Sequence, residues 1–141
     1  MLDKYFTDCL YFTANRLTRV ITRMAEEEFA RTGLSPAYAF LLMAVQERNG
    51  LTQKELGEVL HLTPSTVTRF VEKLERKLLV TTRQDGRMSR VYLTDKGRAM
   101  QEQIEECWSS LHERYAKVLG REEGDRLTRR LYEVSVELEQ A

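Results

Sequence analysis

The sequence is poor in the residues that build metal centres and disulfide frameworks. Among its 141 residues are only two cysteines, Cys9 and Cys107, and two histidines, His61 and His112. They occur singly, and this inventory cannot assemble a structural zinc site or a set of disulfides. We therefore expect a protein that has no metal, no cofactor and no disulfide framework.

Long apolar runs, prolines and glycines are also scarce. No apolar run approaches the roughly 18 residues that a membrane span requires. The first eight residues contain no basic segment followed by an apolar block, so we expect no secretory signal, no membrane contact and a cytoplasmic location. Two prolines and seven glycines leave few positions for sharp loops. The chain is therefore predicted to be one mostly helical domain.

The charged residues balance overall but are unevenly distributed. The chain has 22 basic and 22 acidic residues, so its formal net charge is zero. The segment from Leu60 to Arg98 nevertheless contains nine basic and four acidic residues, a net charge of +5. The rest of the chain must carry −5. A basic middle between acidic ends indicates an anionic partner for the middle.

Apolar residues recur at helical spacing over most of the chain. The first thirty residues are predicted to form one long helix. Ser35-Pro36 provides a cap and a first-turn proline for a second helix, which is apolar on most sides and is predicted to lie at the centre of the core. Towards the C-terminus, Thr94-Asp95 opens another long helix, and a last helix follows Gly120 or Gly124.

Two capped helices follow each other closely in the middle of the chain. Thr52 and Glu55 form a capping box that opens the first helix. Thr63-Pro64 opens the second, which extends to about Lys77. Gly57 inside the first helix suggests that another helix approaches it closely. Capped helices this close together predict a helix-turn-helix unit.

The second helix of this unit has two chemically different faces. Its apolar stripe is predicted to face the core and consists of Val67, Phe70, Val71, Leu74 and Leu78. Hydroxyl side chains at the start of the opposite face can approach bases and phosphates, and basic side chains further along can bind guanine or phosphate. The DNA-binding residues predicted in this unit are Gln53, Pro64, Ser65, Thr66, Thr68, Arg69 and Lys73.

A hairpin with a basic tip is predicted after the second helix. Two β-favouring runs, residues 79–83 and 89–93, flank the turn signal Asp85-Gly86. An arginine at such a tip suits the narrow, negative minor groove of A·T-rich DNA. The hairpin residues predicted to bind DNA are Arg83, Arg87 and Arg90.

These residues also resemble the MarR family of bacterial winged helix-turn-helix regulators, and the resemblance extends over nearly the whole chain. It rests on four segments, Leu51–Leu56, Thr63–Arg69, Val71–Arg76 and Asp85–Gly97. Its most specific part is the Asp-x-Arg wing at Asp85 and Arg87, followed by the Leu-Thr-x-x-Gly strand exit that ends at Gly97.

The resemblance implies a two-fold dimer joined through its N- and C-terminal helices. It also implies recognition helices in successive major grooves of a pseudo-palindrome and wings in the flanking minor grooves. By analogy, Arg87 enters the minor groove, and Asp85 supports the wing by bracing Arg87 or by pairing with a nearby arginine. One departure concerns Leu78-Leu79-Val80, which lacks the glycine that many members carry at the end of the recognition helix.

The resemblance further suggests two ways of controlling DNA binding. Many members release DNA when a small, often phenolic, molecule binds, and the candidate pocket residues here are Tyr11, Phe12, Phe40, Trp108 and Tyr115. Another branch senses peroxides through an N-terminal cysteine, which makes Cys9 a candidate. The tyrosine expected before the second-helix proline is replaced here by Ser35, and a free cysteine is more often buried and inert.

The sequence therefore predicts a mainly α protein with a small β-hairpin wing. The predicted units are an N-terminal dimerisation helix (1–33), a winged helix-turn-helix domain (34–98) and C-terminal dimerisation helices (99–141). The predicted function is that of a homodimeric regulator, a repressor of transcription, that binds pseudo-palindromic double-stranded DNA and is released by a small aromatic effector. The alternatives are a thiol sensor through Cys9 and a winged-helix protein-interaction module. An enzyme is disfavoured because the sequence contains no phosphate loop or nucleophile elbow, and so no catalytic residue is predicted.

Overall fold

The computed structural model describes residues 2–141, in which helices flank a small antiparallel sheet. The helices are α1 (Asp3–Phe6), α2 (Leu10–Phe29), α3 (Pro36–Glu47), α4 (Gln53–Leu60), α5 (Pro64–Arg76), α6 (Asp95–Ala99), α7 (Gln101–Leu119) and α8 (Arg121–Glu139), with a 3₁₀ turn at Ala30–Thr32. The strands are β1 (Leu51–Thr52), β2 (Val80–Asp85) and β3 (Met88–Leu93). The fold is a winged helix-turn-helix with long helices at both chain ends. Within the described residues, no helix is long and apolar enough to cross a bilayer.

Helix α3 lies at the centre of the core, as its apolar sequence predicts. It contacts α2, α4, α7 and β3. Leu41, Leu42 and Val45 are completely buried. Each such side chain contributes about 1.5–3 kcal/mol by leaving water, so α3 holds the helix-turn-helix unit and the terminal helices together.

The helix-turn-helix unit forms as predicted. Thr52 and Glu55 make the capping box in both directions, since the Glu55 amide donates to the Thr52 hydroxyl at 3.1 Å and the Thr52 amide donates to the Glu55 carboxylate at 3.0 Å. A Cβ on Gly57 would lie 3.0 Å from the Leu62 carbonyl oxygen and 3.4 Å from Val67. The glycine therefore allows α5 and the preceding turn to pack closely on α4.

The prediction of a single N-terminal helix is wrong, because the chain is broken between α1 and α2. The Thr7 hydroxyl lies 2.9 Å from the Asp3 carbonyl oxygen and 3.1 Å from the Asp8 carboxylate, two acceptors for its one hydrogen. The backbone leaves the helix at this point, because the Thr7 and Asp8 amides both donate to the Asp3 carbonyl, at 2.8 and 3.1 Å. Cys9 then adopts an extended conformation and lies, half-buried, at the N-cap position of α2.

The prediction of one long helix after Thr94 is also wrong, because the helix divides at Met100. Thr94 caps α6 as predicted, by accepting a hydrogen bond from the Gly97 amide. The Gly97 carbonyl then accepts from the Met100 amide at 3.3 Å and from the Gln101 side chain at 3.1 Å. These bonds tighten the turn, and α7 begins at Gln101.

The predicted hairpin is present, but the sheet has a third strand that the sequence analysis missed. Strands β2 and β3 pair from Val80 opposite Leu93 to Asp85 opposite Met88. The connecting turn begins with Gly86 at a φ of 63°, which suits the two-residue hairpin turns that glycine favours. Strand β1 pairs with the other edge of β3, giving the order β1-β3-β2. The wing is therefore attached to the residues that open α4.

Helices α2 and α7 are joined by polar contacts as well as by apolar packing. The Arg114 guanidinium contacts the Glu27 carboxylate at 3.0 Å and the Glu28 carboxylate at 3.1 Å. Arg31, in the 3₁₀ turn, donates through Nε to the buried Cys107 Sγ at 3.1 Å. The Gln103 amide donates to the Arg31 carbonyl at 3.3 Å. The turn that leads from α2 to α3 is thus fastened to α7.

Leu78 does not belong to the buried stripe of α5, contrary to the prediction. It follows the helix with a φ of 62°, and the residue is 67% exposed. It occupies the place where the sequence analysis noted a missing glycine. A left-handed conformation costs an L-residue roughly 1–2 kcal/mol.

Leu78→Gly is therefore expected to raise the free energy of unfolding by about 0.5–1 kcal/mol, because the strain it removes exceeds the entropy that glycine adds to the unfolded chain. Urea unfolding monitored by circular dichroism measures this change. Leu78→Ala is the control, since alanine keeps the Cβ and therefore the strain. Equal stability of the glycine and alanine variants would contradict the explanation.

Candidate nucleic-acid interface

Helix α5 presents one buried and one exposed face, as its sequence predicts. Val67, Val71 and Leu74 are buried against the core. The exposed side chains on the other face are Ser65, Thr68, Arg69, Lys73 and Arg76, with Thr66 half-buried beside them. A recognition helix that packs by one face and leaves hydroxyl and basic side chains in solvent can enter a major groove.

The N-terminus of α5 carries a cluster of hydroxyl groups. Thr63 is at the N-cap position and Pro64 follows it, but the Thr63 hydroxyl makes no capping bond to the helix. It lies instead 2.9 Å from the Thr66 hydroxyl and 3.4 Å from that of Ser65. The prediction of a side-chain cap is thus wrong at Thr63, and it is also wrong at Ser35. The first-turn amides of α5 consequently keep their capacity to bind an anion.

Two basic side chains of α5 lie over aromatic rings. The Lys73 Nζ is 5.0 Å from the centre of the Tyr38 ring, and the Arg69 guanidinium is 5.9 Å from that of Phe70. The two rings are themselves 4.3 Å apart. Among residues 2–141, neither Arg69 nor Lys73 has a carboxylate partner within 4 Å. Their charges are therefore available to an external anion.

The three wing arginines have different surroundings. Arg87 is at the exposed tip, beside Gly86. Arg83 stacks on Tyr92 with its guanidinium 4.8 Å from the ring centre. Arg90 is half-buried and donates to the Asp85 carboxylate at 2.8 Å and to the Gly50 carbonyl at 3.0 Å. The hydrogen bond to Asp85 raises the pKa of Arg90 above its ordinary value.

Asp85 pairs with an arginine of the wing, which is one of the two arrangements implied by the family resemblance. Its partner is Arg90, whose guanidinium holds the wing to the loop before β1. The DNA contact predicted for Arg90 remains a prediction, since this guanidinium already serves a structural purpose. Arg87 is the wing arginine best placed to reach outward.

Gln53 contacts both α5 and the wing. Its side-chain Nε2 donates to the Ser89 hydroxyl at 3.3 Å. The Thr68 hydroxyl lies 3.1 Å from both the Gln53 Oε1 and the Pro64 carbonyl oxygen, which are two acceptors for its one hydrogen. A cleft of about 380 Å³ between α4 and α5 is lined by Gln53, Pro64 and Thr68, together with other residues of α4 and Leu62 of the intervening turn. The predicted DNA-binding residues Gln53 and Thr68 therefore lie together, with Ser89 as a neighbour that sequence reasoning missed.

The aromatic residues predicted to form an effector pocket are distributed over separate contacts. Phe12 packs on Phe6, Phe40 packs on Phe29, and Trp108 and Tyr115 lie on either side of His112. Tyr11 is 78% exposed. Among the five, Tyr115 lines a groove of about 260 Å³ between α2, α7 and α8. In the described part of the chain, no group of three or more His, Cys, Asp or Glu side chains could hold a metal ion.

Comparisons with known proteins agree with this geometry. Residues 32–90 match the model of the MarR family. The HTH-type transcriptional repressor MdtR of Bacillus subtilis is 29% identical over 100 residues, which cover 69% of this chain and 64% of MdtR. The match thus spans slightly less than two thirds of that relative.

Two solved structures of the transcriptional repressor CouR share the fold. The one bound to a 23-mer DNA duplex has a TM-score of 0.86 and 22% identity, and the match covers 96% of this chain and 98% of CouR. The one bound to p-coumaroyl-CoA has a TM-score of 0.84 and 21% identity, and the match covers 92% of this chain and 94% of CouR. At this identity, the likeness establishes the winged-helix fold.

Proposed function

We propose that this chain, which belongs to the MarR family of winged helix-turn-helix transcriptional regulators, binds specific double-stranded DNA as a homodimer and represses transcription. Members of this family are regulators rather than enzymes. The proposal rests on one observation: the exposed face of α5 and the wing are linked to each other, because Gln53 makes hydrogen bonds to both. Helix α5 would enter the major groove, and Arg87 would enter the adjacent minor groove.

The charge distribution supports DNA as the partner. The segment from Leu60 to Arg98 carries +5, while the rest of the chain carries −5. Basic side chains that replace counterions around DNA make binding strongly dependent on salt. The duplex would repel the acidic ends of the chain, so the protein would approach DNA through the basic segment from Leu60 to Arg98.

The homodimer is supported by the exposure of α8. At the start of α8, Gly124 is buried and Asp125 contacts His112. Of residues 126–141, Val134 and Val136 are half-buried and all the others are exposed. Leu127, Leu131 and Leu138 lie on one face of this helix at helical spacing. Isolated helices gain most of their stability from packing an amphipathic face, so a second copy is expected to cover this stripe.

Control by a small aromatic ligand is the other part of the proposal. CouR has been solved with p-coumaroyl-CoA as well as with DNA. The groove that Tyr115 lines in this chain is apolar and lies where α2, α7 and α8 meet. A ligand bound near these helices would alter the position of α5 and the wing of one copy relative to those of the other copy in the dimer.

The proposal is tested by selecting bound sequences from a random pool of DNA duplexes and measuring their affinity at several salt concentrations. We expect an inverted repeat with half-sites about one helical turn apart and a steep salt dependence. Weak binding that is indifferent to sequence would contradict the proposal. It would favour a winged-helix module that binds another protein.

Two substitutions should then affect different parts of the operator. Arg69→Ala is expected to weaken operator binding about tenfold and to relax base preference within the half-site, because an arginine that contacts bases is worth about 1–3 kcal/mol. Arg87→Ala is expected to weaken binding chiefly where the flanks are A·T-rich. Fluorescence anisotropy with variant duplexes measures both effects. Arg23→Ala, which removes an exposed arginine of α2, is the control, and losses of the same size and pattern in all three variants would refute these roles.

A further inference from the structure

The contacts of Gln53 connect the two DNA-facing elements across a large sequence separation. Thr68 belongs to the second turn of α5, and Ser89 belongs to β3. Each offers a hydroxyl group, and the amide has one end that donates and one that accepts. A single side chain can therefore bond to both hydroxyls simultaneously.

The backbone of Gln53 is held firmly in place. The pairing of Thr52 with Arg90 in the β1–β3 ladder puts Gln53 next to Ser89. The capping box fixes the first turn of α4, and its hydrogen bonds from Thr52 hold the pKa of Glu55 below its ordinary value. Because strand pairing and helix capping both act on residues 51–55, the amide is preorganised before any DNA arrives.

Two further side-chain bonds of the wing hold other parts of it. Thr82 donates to the Glu75 carboxylate at 3.1 Å, which joins the base of β2 to the C-terminal end of α5. Arg90 joins β3 to the loop at Gly50. Gln53 acts at the opposite end of α5, near the N-terminal turns that would meet the bases.

From this arrangement we infer that Gln53 is a positioning residue that sets the angle between the N-terminal turns of α5 and the wing. The major-groove and minor-groove contacts are then made together, with Gln53 acting through Ser89. The inference rests on the proposed function for its consequence in DNA binding. Its structural part concerns the free protein and can be tested without DNA.

The first experiment measures amide hydrogen exchange in the free protein. Ser89→Ala removes one end of the bridge without altering Gln53, and Ser89→Thr retains the hydroxyl. We expect exchange in residues 80–93 to accelerate about three- to tenfold in the alanine variant, the factor that one lost hydrogen bond gives. The threonine variant should retain the wild-type rate. Thr81→Ala, which removes an exposed hydroxyl from the same wing, is the control.

The second experiment uses fluorescein-labelled duplexes that carry the selected half-sites with either A·T-rich or G·C-rich flanks. We expect Ser89→Ala and Gln53→Met to reduce the preference for A·T-rich flanks about threefold, since each removes a hydrogen bond of the bridge. Ser89→Thr should restore the preference. A role limited to stability would lower the unfolding temperature without altering flank preference.

The possible results separate the inference from the proposed function. Unchanged wing exchange in Ser89→Ala overturns the inference, whatever happens with DNA. If Gln53→Met weakens binding while Ser89→Ala keeps the wild-type flank preference, Gln53 contacts DNA directly and the inference is again wrong. If the wild type selects no DNA sequence but Ser89→Ala accelerates wing exchange, the proposed function fails and the positioning role in the free protein is retained.

Discussion

Gly97→Ala is expected to lower the free energy of unfolding by about 3 kcal/mol or more, the range of severe overpacking. A Cβ at this position would lie 2.1 Å from the Leu79 carbonyl oxygen, well inside van der Waals contact. That carbonyl accepts a hydrogen bond from the Thr94 amide. The backbone of α6 cannot move away without breaking this bond. The glycine of the strand-exit motif thus has a steric explanation.

Thermal unfolding at a fixed protein concentration measures this effect, and a fall in Tm of roughly 10 °C is expected for a chain of this size. Gly124→Ala is the matched control, because a Cβ there would lie 3.8 Å from the Tyr115 ring in ordinary contact. Alanine is the better helix former, so Gly124→Ala should be neutral or stabilise by up to about 1 kcal/mol. A Gly97→Ala protein as stable as the wild type would show that the strand–helix junction is not tightly packed.

A double substitution in α8, Leu127→Glu with Leu131→Glu, is expected to convert the proposed dimer into monomers. Leu127 is 41% exposed and Leu131 is 44% exposed in the single chain, and both line the groove together with Leu17 and Ile21. A second copy covering this face would have to bury two carboxylates in an apolar surface, which is strongly unfavourable. Sedimentation velocity measures the change in mass.

The same double variant should lose about 100-fold or more in affinity for a two-half-site operator, because linked binding of the two lobes is lost. Its affinity for a single half-site should be unchanged. Arg129→Glu is the control, since it places a carboxylate on the opposite side of α8. A double variant that still sediments as a dimer would show that another surface joins the two copies.

The sequence predicted the parts of the fold that depend on local chemistry. The capping box at Thr52 and Glu55 and the turn at Asp85-Gly86 are fixed by residues that lie close together in the chain. Strand β1 was missed because two residues show no periodicity, and only β3 makes them a strand. The helix breaks near Thr7 and Met100 were missed because the apolar spacing continues across both positions.

The candidate site was predicted less completely than the fold. The exposed face of α5 follows from helical periodicity, so Arg69 and Lys73 could be identified from their spacing. The bond between Arg90 and Gly50 could not, because it joins residues 40 positions apart. Ser89 carried no signal of its own, since its significance comes from the β1–β3 register that brings it to Gln53.

The fastening of the 3₁₀ turn to α7, through Arg31, Cys107 and Gln103, has a consequence for operator choice. Because both the side chain and the backbone carbonyl of Arg31 are bonded to α7, the winged helix-turn-helix unit has little freedom to rotate relative to α7. In the proposed dimer, the two copies of α5 would then be held at a fixed distance from each other. Inserting one base pair between the half-sites would increase their separation by about 3.4 Å and rotate one relative to the other by about 35°. The affinity of the dimer is therefore expected to fall when the spacing between half-sites changes.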